Sequence, residues 1–244
     1  MQKIDLKLEK YNWQVYLRDE ADQSVFNEIF KLHEYRSADE VITNAKYPIV
    51  DIGAHAGFFA MYCRSLNKKV KIYSVEPEPA NLKILKQHLA ENKILGVKIV
   101  AGALAGQTGK RKLILSEDSH NHKLANEGLE DGLFADFVPE SGNKEKTISV
   151  PAFTFADFCR KNKLKKISLL KMDIEGGEYE VFDGMSTEDF MMVNFIILEY
   201  HSKNKEYKQL EEKLRTNGFG VQTFPSHFDK TMGFIWANNK RLKN

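Results

Sequence analysis

From Pro48 onward, short apolar runs alternate with stretches of helical periodicity, and this alternation constrains the fold of the chain more than any other feature. An apolar run at residues 49–51 precedes a helical stretch whose apolar face carries Phe58, Tyr62 and Leu66. This pattern is typical of βαβ units, in which parallel strands form one sheet with helices on both faces. We therefore predict an α/β, Rossmann-like fold with a mostly parallel sheet.

The remaining apolar runs complete the predicted sheet, and the polar segments between them indicate how the chain is organised. Strands are predicted at residues 70–75, 97–100, 168–172 and 193–198, and the runs 220–224 and 233–237 fit an antiparallel hairpin at the sheet edge. Residues 117–146 are polar without a period and indicate an inserted loop, where substrate choice is expected to lie. Residues 1–46 are predicted to form an N-terminal cap with a strand at residues 11–17 and a helix at residues 25–33, and residues 47–244 the main domain.

Charge and hydropathy narrow the range of partners and locations. The 36 lysines and arginines nearly balance the 34 aspartates and glutamates, which argues against nucleic acid and acidic membranes as partners. A small molecule or saccharide fits better. The N-terminus lacks the continuous apolar stretch of a signal peptide, so a cytoplasmic location is expected. The most apolar segment, residues 195–198, is too short for membrane insertion, and the oligomeric state is left open.

A glycine-containing turn after the first predicted strand is the first candidate site. The segment Val50-Asp-Ile-Gly-Ala-His-Ala-Gly57 leads from a strand into a helix. Glycine lets the backbone turn sharply and approach a ligand at the strand ends, where open α/β sheets bind their ligands. The candidate cofactor-binding residues are Asp51, Gly53, Ala54, His55 and Gly57. For His55, a structural role in the turn is an equal alternative.

The residues of this turn discriminate between cofactor classes. A phosphate-binding loop would continue with Gly-Lys-Ser/Thr, which this chain lacks. A dinucleotide-binding turn would have glycines where His55 and Phe58 stand, and Asp51 would repel a pyrophosphate. S-adenosylmethionine carries a sulfonium and an ammonium group, which a carboxylate attracts. We therefore favour S-adenosylmethionine over NAD as the cofactor, with S-adenosylhomocysteine as its product.

Two further positions are candidates for cofactor contacts. Glu76 ends the second predicted strand, where a carboxylate can accept hydrogen bonds from both ribose hydroxyls of either cofactor. Gly102 and Ala103 follow the third strand and could let an adenine lie against the backbone, although a plain turn explains them as well. The structural alternative is that Asp51 caps the following helix and that Glu76 pairs with a lysine.

A second group of polar residues follows the fourth and fifth core strands. Asp173 and Glu175 can share one face, as can Glu199 and His201, because side chains alternate along a strand. His201 or Asp173 could accept a proton from a substrate hydroxyl. Alternatively, the carboxylates could hold Mg²⁺ or a similar cation. We favour the base and assign no metal ligand, because no second histidine or further aspartate stands at ligand spacing. The catalytic candidates are therefore Asp173, Glu199 and His201, and Glu175 is a further candidate for cofactor binding. Glu175 could instead bind backbone N–H groups of the following helix.

The chain resembles the FkbM family of S-adenosylmethionine-dependent methyltransferases. The resemblance rests on four segments, which are Val50-Asp-Ile-Gly-Ala-His-Ala-Gly-Phe58, Val75-Glu-Pro77, Leu170-Lys-Met-Asp-Ile-Glu-Gly-Gly-Glu178 and Leu198-Glu-Tyr-His201. It implies the seven-stranded class I methyltransferase fold and O-methylation of a sugar, glycan or secondary metabolite. It also implies cofactor contacts at Asp51, Gly53, Gly57 and Glu76, and site-forming roles for Asp173, Glu175, Glu199 and His201.

Three other functions stay open on the sequence alone. An NAD-dependent sugar-nucleotide dehydrogenase or epimerase would often carry a Tyr-x-x-x-Lys pair, and no tyrosine of this chain has a lysine four positions on. A non-catalytic module that only binds the cofactor is a second alternative. RNA methylation is disfavoured by the balanced charge.

Overall fold

The computed structural model describes residues 1–115, 123–125, 146–201, 207–226 and 231–242. Most of the predicted inserted loop at 117–146 therefore lies outside the described residues. Within the described part of the chain, no helix combines the length and the apolar character needed to cross a membrane.

The first 46 residues form a β-hairpin followed by short helices. These elements are β1 (Gln2–Leu8), β2 (Tyr11–Leu17), α1 (Glu20–Phe30), a 3-10 turn (Glu34–Ala38) and α2 (Asp39–Thr43). The helix expected at residues 25–33 begins earlier, since the Asp19 side chain caps it by accepting a hydrogen bond from the Asp22 N–H. The strand expected at residues 11–17 is present as β2, and it pairs antiparallel with β1.

The remaining described chain alternates strands and helices. In chain order it forms β3 (Ile49–Ile52), α3 (Phe58–Leu66), β4 (Ile72–Glu76), α4 (Pro79–Glu91), β5 (Val97–Ala101), β6 (Ala103–Leu104), β7 (Gly109–Leu115), β8 (Lys123–Leu124), β9 (Lys146–Phe153), α5 (Phe155–Asn162), β10 (Ile167–Met172), α6 (Glu178–Gly184), α7 (Thr187–Met191), β11 (Val193–His201), α8 (Tyr207–Thr216), β12 (Phe219–Pro225) and β13 (Met232–Asn239).

Seven of the described strands form the central sheet, in the order β12-β13-β11-β10-β3-β4-β5. Neighbours from β11 to β5 are parallel, whereas β13 is antiparallel to both β11 and β12. The predicted seven-stranded sheet with an antiparallel C-terminal hairpin is confirmed. Strands β10 and β3 are neighbours although they are far apart in the chain, and a crevice is expected outside the carboxyl ends of strands at such a switch point.

A smaller sheet with the order β6-β9-β7-β8 lies beside the central sheet. Its strand β9 was not predicted from the sequence, and residue 146, assigned to the inserted loop, is its first residue. Two features make this strand difficult to recognise from the sequence. Only Val150 and Ala152 are buried in it, and Pro151, which has no N–H group to donate, stands opposite Lys110 of β7.

The core lies on both faces of the central sheet. On one face, Trp13, Val15 and Phe26 of the N-terminal segment belong to the same buried cluster as Phe58 and Phe59 of α3. On the other face, the buried cluster is built from side chains of α5, α6, α7 and α8 and of the sheet, including Phe155, Phe158, Phe182, Phe190 and Leu214. The N-terminal segment thus shares its core with the main sheet. The domain boundary at residue 46 stays a prediction.

Candidate active site

A cleft lies at the carboxyl ends of β3, β4 and β10. Its empty volume, including the open mouth and the solvent in it, is about 910 Å³. The following candidate residues line it: Gly53, Ala54, His55, Glu76, Gly102, Ala103, Asp173 and Glu175. The candidates Asp51, Gly57, Glu199 and His201 do not line it.

The turn after β3 is held in a conformation that suits a close backbone approach. Gly53, His55 and Gly57 all have positive φ angles, of 77°, 49° and 85°. A Cβ atom on Gly53 would lie 1.8 Å from the carbonyl oxygen of Asp173, so the end of β10 packs directly against the turn. Gly57 has no room for a Cβ either, since the atom would lie 2.9 Å from Leu85 Cγ. Gly57 therefore serves the packing of the turn against α4.

The Glu76 carboxylate is fixed at the wall of the cleft by backbone donors. Its Oε2 accepts a hydrogen bond from the His55 N–H at 2.8 Å, and its Oε1 accepts from the Glu78 N–H at 2.9 Å and from Asn81 Nδ2 at 3.2 Å. Burial nevertheless raises the pKa of Glu76 to about 7, against the effect of these donors. No ion pair with a lysine is found for Glu76 among the described residues, so the structural alternative for this residue is not supported.

The cleft continues past Gly102 along an apolar wall. Gly102 has a φ of 148°, and a Cβ atom there would lie 2.5 Å from the Phe153 ring of β9. Leu104, Leu113 and Leu124 line the same cleft. This wall combines a bare backbone with aliphatic side chains, which suits a flat aromatic base such as adenine.

Asp51 lies behind the cleft and is paired with a lysine. It is fully buried, and its Oδ1 lies 3.5 Å from Lys171 Nζ. Burial raises the pKa of Asp51 to about 6, although Lys171 acts in the opposite direction. The lysine also donates to the Gly53 carbonyl oxygen at 2.9 Å and lies 3.5 Å from Asp173 Oδ2. Asp51 does not cap α3, whose N-cap is Gly57.

The polar residues that follow β10 come together with those at the end of β11, because these two strands are parallel neighbours. His201 Nε2 lies 3.5 Å from Glu175 Oε2, and His201 Nδ1 lies 3.9 Å from Glu178 Oε1. Burial disfavours the imidazolium, but the charges of Glu178, Glu175 and Asp173 outweigh it and raise the pKa of His201 to about 9. At neutral pH, His201 is therefore a cation balanced by carboxylates. Glu178 also accepts a hydrogen bond from the backbone N–H of Ile174, at 3.0 Å.

Glu199 and Tyr35 face the same carboxylates. Burial raises the pKa of Glu199 well above its ordinary value, and the charge of Asp173 adds to this effect. Burial also raises the pKa of Tyr35, with further contributions from Asp173 and Glu199. Tyr35 and Glu28 line the cleft, so this end of the cleft has an excess of acidic groups. Such an environment disfavours an additional negative charge.

Asp173, Glu175 and His201 could together hold a divalent cation. Each offers one ligand atom, and these atoms lie within 4.8 Å of one another. One histidine and two carboxylates are suitable ligands for several divalent metals. A histidine must be neutral to bind a metal, so binding at this site would release a proton from His201.

Several residues of the site were not identified from the sequence. Lys171 had a usable signal, since it is a charged residue inside the otherwise apolar strand β10. Glu28 and Tyr35 had none, because they reach the cleft only through the packing of the N-terminal segment on α3.

Several known proteins with similar sequences are named as methyltransferases. A family model described as the methyltransferase FkbM domain matches residues 51–221. The methyltransferase sdnD of Sordaria araneosa is 26% identical over 216 residues, which cover 82% of each chain. The 31-O-demethyl-FK506 methyltransferase FkbM of Streptomyces tacrolimicus is 22% identical over 71% of this chain and 72% of its own. The hexuronic acid methyltransferase AglP of Haloferax volcanii is 22% identical over 74% and 69%.

A solved structure shares the fold. The methyltransferase FkbM from Methylobacillus flagellatus KT superimposes with a TM-score of 0.53 at 12% sequence identity, over 91% of this chain and 55% of that one. The resemblance found from the four sequence segments is confirmed. The family model matches more than half of the residues of this chain. The chain therefore belongs to the FkbM methyltransferase domain family.

Proposed function

We propose that the protein transfers a methyl group from S-adenosylmethionine to a hydroxyl group of a small molecule or saccharide. The observation that carries this proposal is that one continuous cleft joins the carboxylate of Glu76 to that of Asp173. In this proposal, the Glu76 carboxylate accepts hydrogen bonds from the ribose of the donor, and the Asp173 carboxylate lies beside the methyl group that is transferred. The same cleft thus offers one carboxylate to the methyl donor and another to the acceptor hydroxyl.

Each part of the donor can be assigned to residues that line the cleft. The ribose hydroxyls would bind Glu76, the adenine would lie against Gly102 and the leucines beside it, and the amino-acid part would follow the turn at Gly53. The bound donor supplies an electrophilic methyl group on a positively charged sulfur. The acidic groups at the Asp173 end favour that charge, whereas the pyrophosphate of NAD would meet carboxylates.

We infer that Asp173, rather than His201, takes the proton of the acceptor hydroxyl. Asp173 lines the cleft and His201 does not. In addition, the pKa of about 9 keeps His201 protonated at neutral pH, so it cannot accept a second proton. His201 would then balance the charges of Glu175 and Glu178.

The pH dependence of methyl transfer distinguishes these two bases. A histidine whose folded pKa is raised to about 9 becomes neutral only as the pH rises through that value. If Asp173 is the base, we expect kcat, measured with an acceptor that the enzyme methylates, to show no increase from about pH 7 to pH 9. A rate that rises about tenfold per pH unit over this interval would instead identify His201 as the base.

The acceptor and its surroundings are inferred from the relatives and from the charge of the chain. Two relatives carry names of small-molecule or sugar-acid methyltransferases, and the net charge of +2 offers little attraction to nucleic acid. A hydroxylated small molecule in the cytoplasm is the acceptor that we propose. Mg²⁺ held by the carboxylates of Asp173 and Glu175 is the alternative to direct proton transfer. Loss of activity with EDTA and its restoration by Mg²⁺ would favour that alternative.

The Glu76→Gln variant tests the donor site. Glutamine keeps the shape but places an NH₂ group against the N–H donors of His55 or Glu78, and it weakens the bonds to the ribose hydroxyls. We expect the Kd for S-adenosylhomocysteine, measured by calorimetry, to rise roughly 10- to 100-fold. Glu188→Gln on the exposed face of α7 is the matched control and should leave the Kd unchanged. An unchanged Kd in Glu76→Gln would remove Glu76 from the donor site.

A further inference from the structure

The N-terminal segment contacts the turn after β3 through two separate polar links. Both begin on residues that precede the segment matched by the family model, which starts at residue 51. The first link runs from β2 through a buried histidine of α4 to the turn. The second runs from Arg18 to two of the three residues that donate hydrogen bonds to Glu76.

The first link is a hydrogen-bonded histidine bridge. The Tyr16 N–H donates to His88 Nε2 at 2.9 Å, and His88 Nδ1 lies 2.8 Å from the Ala56 carbonyl oxygen. Because Nε2 accepts, Nδ1 must carry the proton and donate it to Ala56. His88 is fully buried, and burial lowers its pKa, which keeps the ring in this neutral form. The backbone of β2 is therefore connected to the turn by two directed bonds.

The second link is centred on the guanidinium of Arg18. Its Nε and one terminal nitrogen donate to the two carboxylate oxygens of Asp22 at 2.8 and 2.7 Å. The same terminal nitrogen donates to Asn81 Oδ1 at 2.7 Å and lies 3.2 Å from His55 Nε2. Asp22, which is fully buried, also lies 3.2 Å from His55 Nε2. A planar guanidinium suits such a fork, and a lysine could not reproduce it.

Asn81 and His55, the two residues that Arg18 contacts in addition to Asp22, both donate hydrogen bonds to the carboxylate of Glu76. Asn81 Nδ2 donates to Glu76 Oε1 at 3.2 Å, and the His55 N–H donates to Glu76 Oε2 at 2.8 Å. His55 has a φ of 49°, a conformation that costs free energy in a residue other than glycine. Such a conformation persists only where its surroundings hold it. Arg18 and Asp22 do not line the cleft themselves.

We propose that Arg18 and Asp22 are positioning residues that hold the turn at His55 and the carboxylate of Glu76 in the conformation that binds the methyl donor. The proposal rests on the proposed donor site. It assigns to the N-terminal segment a role in cofactor affinity in addition to its role in the core. Arg18 acts through Asn81 and His55, so its removal loosens two of the three donors around Glu76.

The test compares Arg18→Lys and Arg18→Gln with wild type in calorimetric titrations with S-adenosylhomocysteine. We expect the Kd to rise at least about tenfold in Arg18→Gln, by loss of charge-assisted hydrogen bonds, and by a smaller factor in Arg18→Lys. In the Asn81→Ala background, Arg18→Gln should add a smaller factor, since one path from Arg18 to Glu76 is already absent. Lys213→Gln removes an exposed ion pair with Asp183 and is the control without an effect.

Hydrogen exchange of the ligand-free proteins gives a second readout that does not depend on donor binding. Amides of residues 53–57 should exchange at least about tenfold faster in Arg18→Gln than in wild type, with no such change in peptides from α8. Unchanged exchange in residues 53–57 would overturn the proposal, even if the melting temperature falls. An unchanged Kd in a protein that binds S-adenosylhomocysteine would overturn it too. If wild type does not bind S-adenosylhomocysteine, the donor site fails, and the exchange experiment alone decides whether Arg18 holds the turn.

Discussion

Replacing Gly53 by alanine is expected to abolish binding of S-adenosylhomocysteine and to lower the melting temperature of the protein. The new Cβ atom would lie 1.8 Å from the Asp173 carbonyl oxygen and 2.9 Å from the Asp173 carbonyl carbon, so backbone must move. The φ of 77° adds about 1–2 kcal/mol for any residue with a Cβ. The backbone that would have to move belongs to the turn beneath the donor or to Asp173 itself. Calorimetry and thermal unfolding measure the two effects.

Alanine variants of two other glycines distinguish the effect of backbone strain from the effect of close packing. Gly176 has a φ of 94°, but a Cβ atom added there would have no neighbour within 4 Å, so Gly176→Ala reports conformational strain alone. Gly109 has neither a positive φ nor a neighbour within 4 Å, so Gly109→Ala should behave as wild type. If Gly53→Ala binds S-adenosylhomocysteine as tightly as Gly109→Ala, the close packing of the turn against Asp173 is not needed for binding.

Asp173→Asn is expected to reduce kcat by roughly 10²- to 10⁴-fold, the range attributed to a positioned base. Asparagine keeps the size of the side chain and its place beside Lys171 but cannot accept the proton of the acceptor. The Kd for S-adenosylhomocysteine should change by no more than a few-fold, since Asp173 is not assigned to the ribose or adenine. The rate is measured at saturating donor with an acceptor that the wild type methylates.

An exposed aspartate provides the comparison for this variant. Asp183→Asn, on the exposed face of α6, should retain the wild-type rate. A variant Asp173→Asn with the wild-type kcat would show that Asp173 is not the base. A loss of donor affinity as large as the loss of rate would place Asp173 in the donor site instead.

The central sheet was predictable because each strand is a short apolar run bounded by turn residues. The parallel strands β3, β4 and β10 are buried on both faces, which produces continuous apolar runs. Strand β9 could not be predicted in this way. It belongs to the smaller sheet, only two of its residues are buried, and it contains Pro151, a residue that argues against a strand inside a sheet.

The position of the cleft was predictable from the sequence, but the proposed reason for a cationic donor differs in the structure. The charge of Asp51 was the reason for preferring a cationic donor to a dinucleotide. In the structure, Asp51 is buried behind the cleft, and Lys171 partly offsets its charge. The acidic character of the cleft comes instead from residues such as Asp173, Glu175 and Glu28. The preference for S-adenosylmethionine therefore rests on a different set of carboxylates.

The contribution of the N-terminal segment could not be predicted from the sequence. Arg18, Asp22 and Tyr35 have no motif or spacing that relates them to the turn after β3. Their contacts depend on how β2 and α1 pack on α3 and α4, and Arg18 and His55, for example, lie 37 residues apart along the chain. A local pattern carries no information about such long-range contacts.

The most direct test of the central claim is a calorimetric titration of the wild-type protein with S-adenosylhomocysteine and, separately, with NAD. We expect saturable binding of one molecule of S-adenosylhomocysteine per chain and no binding of NAD, because the cleft offers Glu76 to a ribose and its other carboxylates disfavour a pyrophosphate. Binding of NAD without binding of S-adenosylhomocysteine would contradict the assignment of the cleft to a methyl donor.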